Sequence, residues 1–416
     1  MNKHVVIIGA GIVGVSTAIW LRRAGARVTL VDKADPGQGT SYGNAGVLAS
    51  CAIVPVTEPG LITKAPGYLL NPNSPLFMRW SYLPKLAPWL FKFMRHANDT
   101  DTRRITSALT ALIGDSVDQH LSLTEDLPGA RAFVHPSDYV FAYGARSDFD
   151  KESYGWGLRR DNGFVPELIE GQAVQEYDPA YGPAIKCLAL MKEHGFISDP
   201  GNYVAALASA LSEMGSEIRQ SEVQDVTLNA GQVQQVETSD GPIACDAVVL
   251  AAGIWSGPLM RKLGLPPPLE SERGYHVVFQ EAEGAPKVPT MISAGKFVAT
   301  PMRAGMRCAG IVEFGGVEAG PSDAPFALLR RKMKEALPGV TWRGEETWMG
   351  HRPTLADSLP MIGELSAKGV FAGFGHQHIG LTGGPKTGRI LAGIILGQPL
   401  NTDVSAFTPQ RFNGRI

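Results

Sequence analysis

His4-Val5-Val6-Ile7-Ile8-Gly9-Ala10-Gly11-Ile12-Val13-Gly14 opens the chain and decides how the rest is read. The β-branched run after His4 suits a strand buried on both faces. Ile12, Val15 and Ile19 then fall at helical spacing in a segment that Gly25 ends, and Arg27–Val31 is a second buried run. Strand, turn, helix and strand make one βαβ unit. Its glycines fit G-x-G-x-x-G, and each has a task. Gly9 permits the tight turn, Gly11 lets a pyrophosphate reach the backbone, and Gly14 lets helix pack on strand. The helix start supplies unpaired N–H donors and the positive end of a dipole, which suits phosphate. Asp32 closes the second strand, where a carboxylate meets ribose hydroxyls, and Lys33 follows it. The pattern predicts a dinucleotide site. A glycine turn used for packing alone has no need of Asp32.

Past Asp32, the regular strand–helix alternation of a nicotinamide dehydrogenase gives way to a Gly/Ser/Asn loop over 37–46, which favours FAD. Residues 55–93 are rich in proline and aromatics, Pro66 and Pro72 among them. A long helix is expected over Arg103–Leu127, then short strands with a helix near Lys151–Arg160. Asp199-Pro200-Gly201 leads into a helix over Tyr203–Met214, and Ala247–Ala252 is a buried run. Tyr275–Phe279 reads as a strand, and 297–301 with 306–314 as a hairpin. An amphipathic helix over Ala324–Leu337, a strand at Val370–Phe374, a glycine loop and a helix over Lys386–Leu396 complete the pattern.

Composition narrows the classes of function. With 38 basic and 40 acidic side chains among 416 residues, the net charge is -2, which argues against nucleic acid as a partner. The four cysteines lie far apart, so neither a disulfide framework nor a metal site is expected, and a reducing, cytoplasmic setting fits. Glycine (48) and proline (30) stand well above the roughly 7% and 5% of average chains, and ask for many close backbone approaches.

Ordered blocks carry a resemblance. They are the N-terminal fingerprint, Gly39–Gly46, Asp199-Pro200, Ala247–Ser256, Arg273–His276, Gly350–Pro353 with Asp357–Gly363, and Gly375–Thr382. With these the chain resembles the FAD-dependent D-amino-acid oxidase/dehydrogenase superfamily, most of all its bacterial D-amino-acid dehydrogenases, over nearly its whole length. The resemblance implies an α/β fold in which a Rossmann-like FAD-binding domain (1–50, 192–266 and 346–416) is interleaved with a β-rich substrate domain (51–191 and 267–345). It places Thr40, Ser41, Asn44, Ala45 and Gly46 near the pyrophosphate and flavin ring, with Ala252, Gly253 and Trp255 beside them. Gly375, His376, His378, Ile379, Gly380, Leu381 and Thr382 are expected at the pyrimidine end of the flavin.

For the substrate, the family pattern puts a carboxylate-binding guanidinium at Arg352, whose planar fork gives two charge-assisted bonds; the plainer reading is a structural ion pair. Tyr275 and His276 lie on the strand lining the substrate face in relatives. As strand neighbours, one should face the pocket and the other away. Sarcosine-oxidase relatives carry a flavin-linking Cys where this chain has Met349, and a Lys where it has Ile379. The resemblance therefore implies noncovalent FAD, a small amino-acid substrate, and a quinone or another electron acceptor. Residues 60–95 mix aromatics with Lys64, Arg79, Lys85, Lys92 and Arg95. They read either as a helical cap over the substrate domain or as a peripheral contact with the inner membrane.

Overall fold

The computed structural model describes residues 3–71 and 73–412; Pro72 and the side chains of Lys64 and Pro66 lie outside the described residues. A six-stranded sheet runs Met361–Glu364, Val370–Phe374, Ala247–Leu250, His4–Ile8, Arg27–Asp32, Glu217–Gln220, parallel throughout except for its first pair. The first strand of the chain thus lies at the centre, with Arg27–Asp32 on one side and Ala247–Leu250 on the other. Connections diverge at that point, which opens a crevice beyond the strand ends. Gly9 and Ala251 stand there.

Helices Ile12–Arg23, Pro200–Glu213 and Gly380–Leu396 cover one face of this sheet, and an antiparallel three-stranded sheet over 223–244 lies against the other. Close approach between the first and last of these helices needs glycine. A Cβ on Gly384 would lie 2.8 Å from Ile12, and one on Gly388 2.6 Å from Thr17 N. The final helix starts at Gly380, six residues earlier than expected, and carries Pro385 inside it. Proline cannot donate to the carbonyl four residues back. That carbonyl, Leu381 O, lies 2.9 Å from His120 Nε2, so a side chain replaces the missing backbone donor.

The second large sheet has ten strands, with Leu269–Gln280 paired antiparallel to both Gly305–Phe314 and Gly344–Leu355. The expected boundaries at 191/192 and 345/346 both fall inside strands of this sheet, Cys187–Ile197 and Gly344–Leu355. Two local expectations need correction. The helix foreseen over 103–127 is broken into Asp99–Ile113 and Ser116–Leu123 at Gly114-Asp115, where Gly114 caps the first helix and Asp115 pairs with Lys386 at 2.9 Å. Two strands of 130–191 are long, Val134–Tyr143 and Cys187–Ile197, with a register shift between Ser137 and Tyr139 and Glu193 at φ 60° hiding their alternation, whereas Glu167–Glu170 is short as expected. The hairpin forms as foreseen, Phe297–Met302 with Gly305–Phe314.

Candidate active site

A cleft of about 810 Å³ runs from the end of Arg27–Asp32, over the glycine turn, to the loop after Phe374. Gly9, Gly11, Ile12 and Val13 form its floor. A Cβ on Gly9 would meet Ala251 O at 2.5 Å, so the turn can be this tight only with glycine. Gly14 stands behind the cleft: its Cβ would overlap Gly9 O, which is the helix–strand contact expected of the third glycine. Gly11 offers the helix no side-chain cap, and Ser41 Oγ reaches only Ile12 N, at 3.1 Å. The first turn therefore keeps donors for an anion.

Asp32 braces the turn. Its two carboxylate oxygens accept from Ala10 N (2.7 Å) and Ala34 N (3.1 Å), and each retains a lone pair for a hydroxyl. Lys33, also on the wall, stacks its ammonium over Trp255 at 4.6 Å. Thr40, Ser41 and Asn44 line the next stretch, with Ala252 and Gly253 opposite; Thr40 Oγ1 donates to His351 O at 3.0 Å. Gly375, His376, Gly380 and Leu381 close the far end. A cradle of backbone and small side chains, anion donors in the middle and a ribose acceptor at one end fit a long dinucleotide such as FAD.

Four expected contacts stand behind the wall. Ala45 packs against the cluster of Tyr139 and Trp156. Gly46 lies against Ile197 O, Ile379 belongs to the core, and Thr382 Oγ1 bonds Val47 O. Gly43, also expected to crowd the cofactor, instead makes room for Trp348, whose ring would overlap a Cβ there. Positions with no motif to mark them do line the cleft, among them Glu222 and Lys262. A sequence signal for them is absent, because one sits in the turn before Val223 and the other at the end of helix Ser256–Lys262.

Beside the cleft lies one face of the ten-stranded sheet. Register pairs Glu272 with Arg352, Gly274 with Gly350 and His276 with Trp348, so all six share that face. Tyr275 is a correction to its expected role. It points the other way, donating to Glu313 Oε2 at 2.6 Å and packing on Phe326. His276 is on the pocket side, yet its ring is 0% exposed, stacked on Trp348 at 5.3 Å. Its Nδ1 lies 3.1 Å from Gly43 O, an acceptor, so Nδ1 carries the proton. Burial, with Arg307 and Arg352 nearby, lowers its pKa to about 3. Through Nδ1 it holds the 40–46 loop.

Arg352 has the opposite character. It lies deep, where burial disfavours its charge and Glu272 supports it, yet it keeps accessible surface. Its one hydrogen bond among the described residues is a long one, 3.5 Å from Nη1 to Ile311 O. His378 lies near Arg352, and desolvation together with that guanidinium lowers its pKa to about 4. His376 is closed off, with Nε2 2.9 Å from Thr387 Oγ1.

Several known proteins are similar to this chain in sequence or in fold. A D-amino-acid oxidase of Bradyrhizobium diazoefficiens is 38% identical over 99% of both chains. A D-amino acid dehydrogenase of Paramagnetospirillum magneticum is 28% identical, again over 99% of both. The solved glycine oxidase of Bacillus cereus superposes with a TM-score of 0.74 at 21% identity, covering 96% of this chain and 99% of that one. L-Proline dehydrogenase from P. horikoshii gives 0.75 at 17% identity, over 99% and 98%. The family model described as DAO, FAD dependent oxidoreductase, matches residues 4–394, and with the cleft and sheets to support it the chain belongs to that family.

Proposed function

We propose that the chain oxidises the Cα–N bond of a D-amino acid, or of a cyclic imino acid such as a D-proline derivative, to an imine that water hydrolyses. The observation that carries this reading is Arg352, a deep guanidinium with accessible surface and almost no partner of its own. A planar fork in that state suits a substrate carboxylate, which it binds through two charge-assisted bonds. The most similar relatives favour the D series: they are named for D-amino acids at 38% and 28% identity.

FAD, when bound, supplies the acceptor for the hydride from Cα. The protein's own residues hold and align. Gly11 and the first turn of Ile12–Arg23 meet the pyrophosphate, Asp32 the ribose, and the Gly375–Leu381 loop the flavin end. None of the four cysteines lines the cleft, which supports a noncovalent cofactor. Arg352, lying over Gly274, fixes the carboxylate and so the direction in which Cα is presented.

Arg352→Ala is expected to raise KM for the amino acid by about two orders of magnitude while the FAD content stays at that of the wild type, since a bond to a charged group contributes roughly 1.5–3 kcal/mol. A variant with unchanged KM would refute the assignment.

For the electron acceptor, one observation favours a membrane quinone. Of the large apolar side chains that stand exposed among the described residues, most belong to one segment: Val56, Ile62, Trp80 and Phe91, the last 68% exposed. Lys85 and Arg95 flank them, also exposed. Apolar rings beside basic residues suit an anionic interface.

A further inference from the structure

Glu272 and Arg352 are directly paired across neighbouring strands, on one face, in the interior. Such neighbours have Cβ atoms about 5 Å apart, well within reach of an ion pair. Yet no contact within 4.0 Å joins their charged atoms. The cause is next along the strand. Gly274 leaves a notch into which the guanidinium folds, close enough that a Cβ there would stand 2.6 Å from Arg352 Cζ. The bond to Ile311 O draws Arg352 the same way, away from Glu272.

The neighbouring carboxylate is otherwise engaged. Glu270 accepts from Tyr82 Oη (3.1 Å) and Ser271 N (2.8 Å). Glu272 lies near Thr354, whose buried hydroxyl closes no hydrogen bond. The charged and titratable groups facing it are thus Arg352 and Glu270, with His378 on the far side of Arg352, and His276 and Arg307 further along the sheet. A guanidinium and a carboxyl group held side by side, but not closed on each other, match the carboxylate and ammonium of an α-amino acid.

We propose that Glu272 receives the ammonium group of the substrate while Arg352 takes its carboxylate, and that one ammonium proton passes to Glu272 before oxidation. This rests on the reading of the substrate as an amino acid. In the transfer an N–H bond breaks, its electron pair stays on nitrogen, and an O–H bond forms on a Glu272 Oε; nothing is oxidised or reduced. The free lone pair is what the later loss of hydride from Cα requires. Binding itself promotes the step. Burial raises the pKa of Glu272 and Arg352 opposes that rise, so a substrate carboxylate that neutralises Arg352 leaves Glu272 the stronger base.

The test uses the FAD-loaded enzyme and two probes that cannot be oxidised in this way. 2-Aminoisobutyrate carries carboxylate and ammonium but no Cα hydrogen, and isobutyrate lacks the amine. Binding of each is read from the change in flavin absorbance. The wild type should bind 2-aminoisobutyrate about ten- to a hundredfold more tightly. Glu272→Gln should erase that preference while isobutyrate binds at least as well as before, and Glu272→Asp should keep part of it. A preference undiminished in Glu272→Gln, equal binding of the two probes by the wild type, or loss of both probes together in both variants would overturn the proposal. If instead no amino acid reduces the wild-type flavin, it is the substrate reading beneath it that fails.

Discussion

His120 shows how a single side chain can commit the fold to a protonation state. It is completely buried; Nε2 faces Leu381 O, and Nδ1 lies 2.8 Å from Tyr203 Oη. In the neutral ring Nε2 donates to Leu381 O and Nδ1 accepts from Tyr203 Oη, and burial lowers its pKa to about 4; His376 falls to about 3. An unfolded chain protonates these rings near pH 6.5, so their contribution is complete above that value and is lost as the pH falls toward 4. Each is worth up to a few kcal/mol. The melting temperature of the FAD-saturated protein should drop between pH 7 and 4.5, and less steeply in His120→Gln, whose amide can still donate to Leu381 O. Equal slopes would show that the ring's titration is irrelevant. At this scale the motif residues were legible: Asp32 and Gly9–Gly14 announce their roles in sequence. Glu272 did not, because its partner lies 80 residues away and is met only through strand register. Alternation did foretell that Tyr275 and His276 would part, though not that His276 would be sealed in.

Among the elements, helix Leu83–Met94 divides its two readings between its two faces. Trp89 and Phe93 stack at 4.8 Å and Trp89 Nε1 donates to Pro268 O, which is a cap over the substrate sheet. Phe91 and Lys85 stand on the outer side with Trp80 just before the helix. If that side meets a bilayer, the wild type should cosediment with phosphatidylglycerol vesicles. The double change Trp80→Ser and Phe91→Ser should weaken this by at least about tenfold, with turnover on a soluble dye unchanged. Failure of the wild type to bind anionic vesicles would leave only the cap. Elements whose periodicity is uninterrupted were read correctly, such as Ile12–Arg23 and the 297–314 hairpin. Those that misled are where a distant residue intervenes. Asp115 bends toward Lys386, and His120 supplies the donor that lets the last helix run through Pro385.

Across the whole molecule, the excess of glycine now divides by purpose. Gly9, Gly11, Gly253 and Gly375 shape the cleft, whereas Gly384 and Gly388 let helices meet and Gly43 and Gly274 make room for Trp348 and Arg352. Two sheets built from interleaved stretches of chain bring the cleft and the Arg352 face together, so neither half of the site exists in any one contiguous segment. Among the described residues no helix is long and apolar enough to cross a membrane. The central claim is that this junction passes hydride equivalents from a D-amino acid to FAD. It is tested most directly by mixing the purified, FAD-loaded protein with D-amino acids and secondary amino acids in the absence of oxygen, and following the flavin absorbance. Bleaching by at least one D-amino acid, and none by the matching carboxylic acid without its amine, is the predicted result. A flavin that stays oxidised with every member of the set would contradict the account.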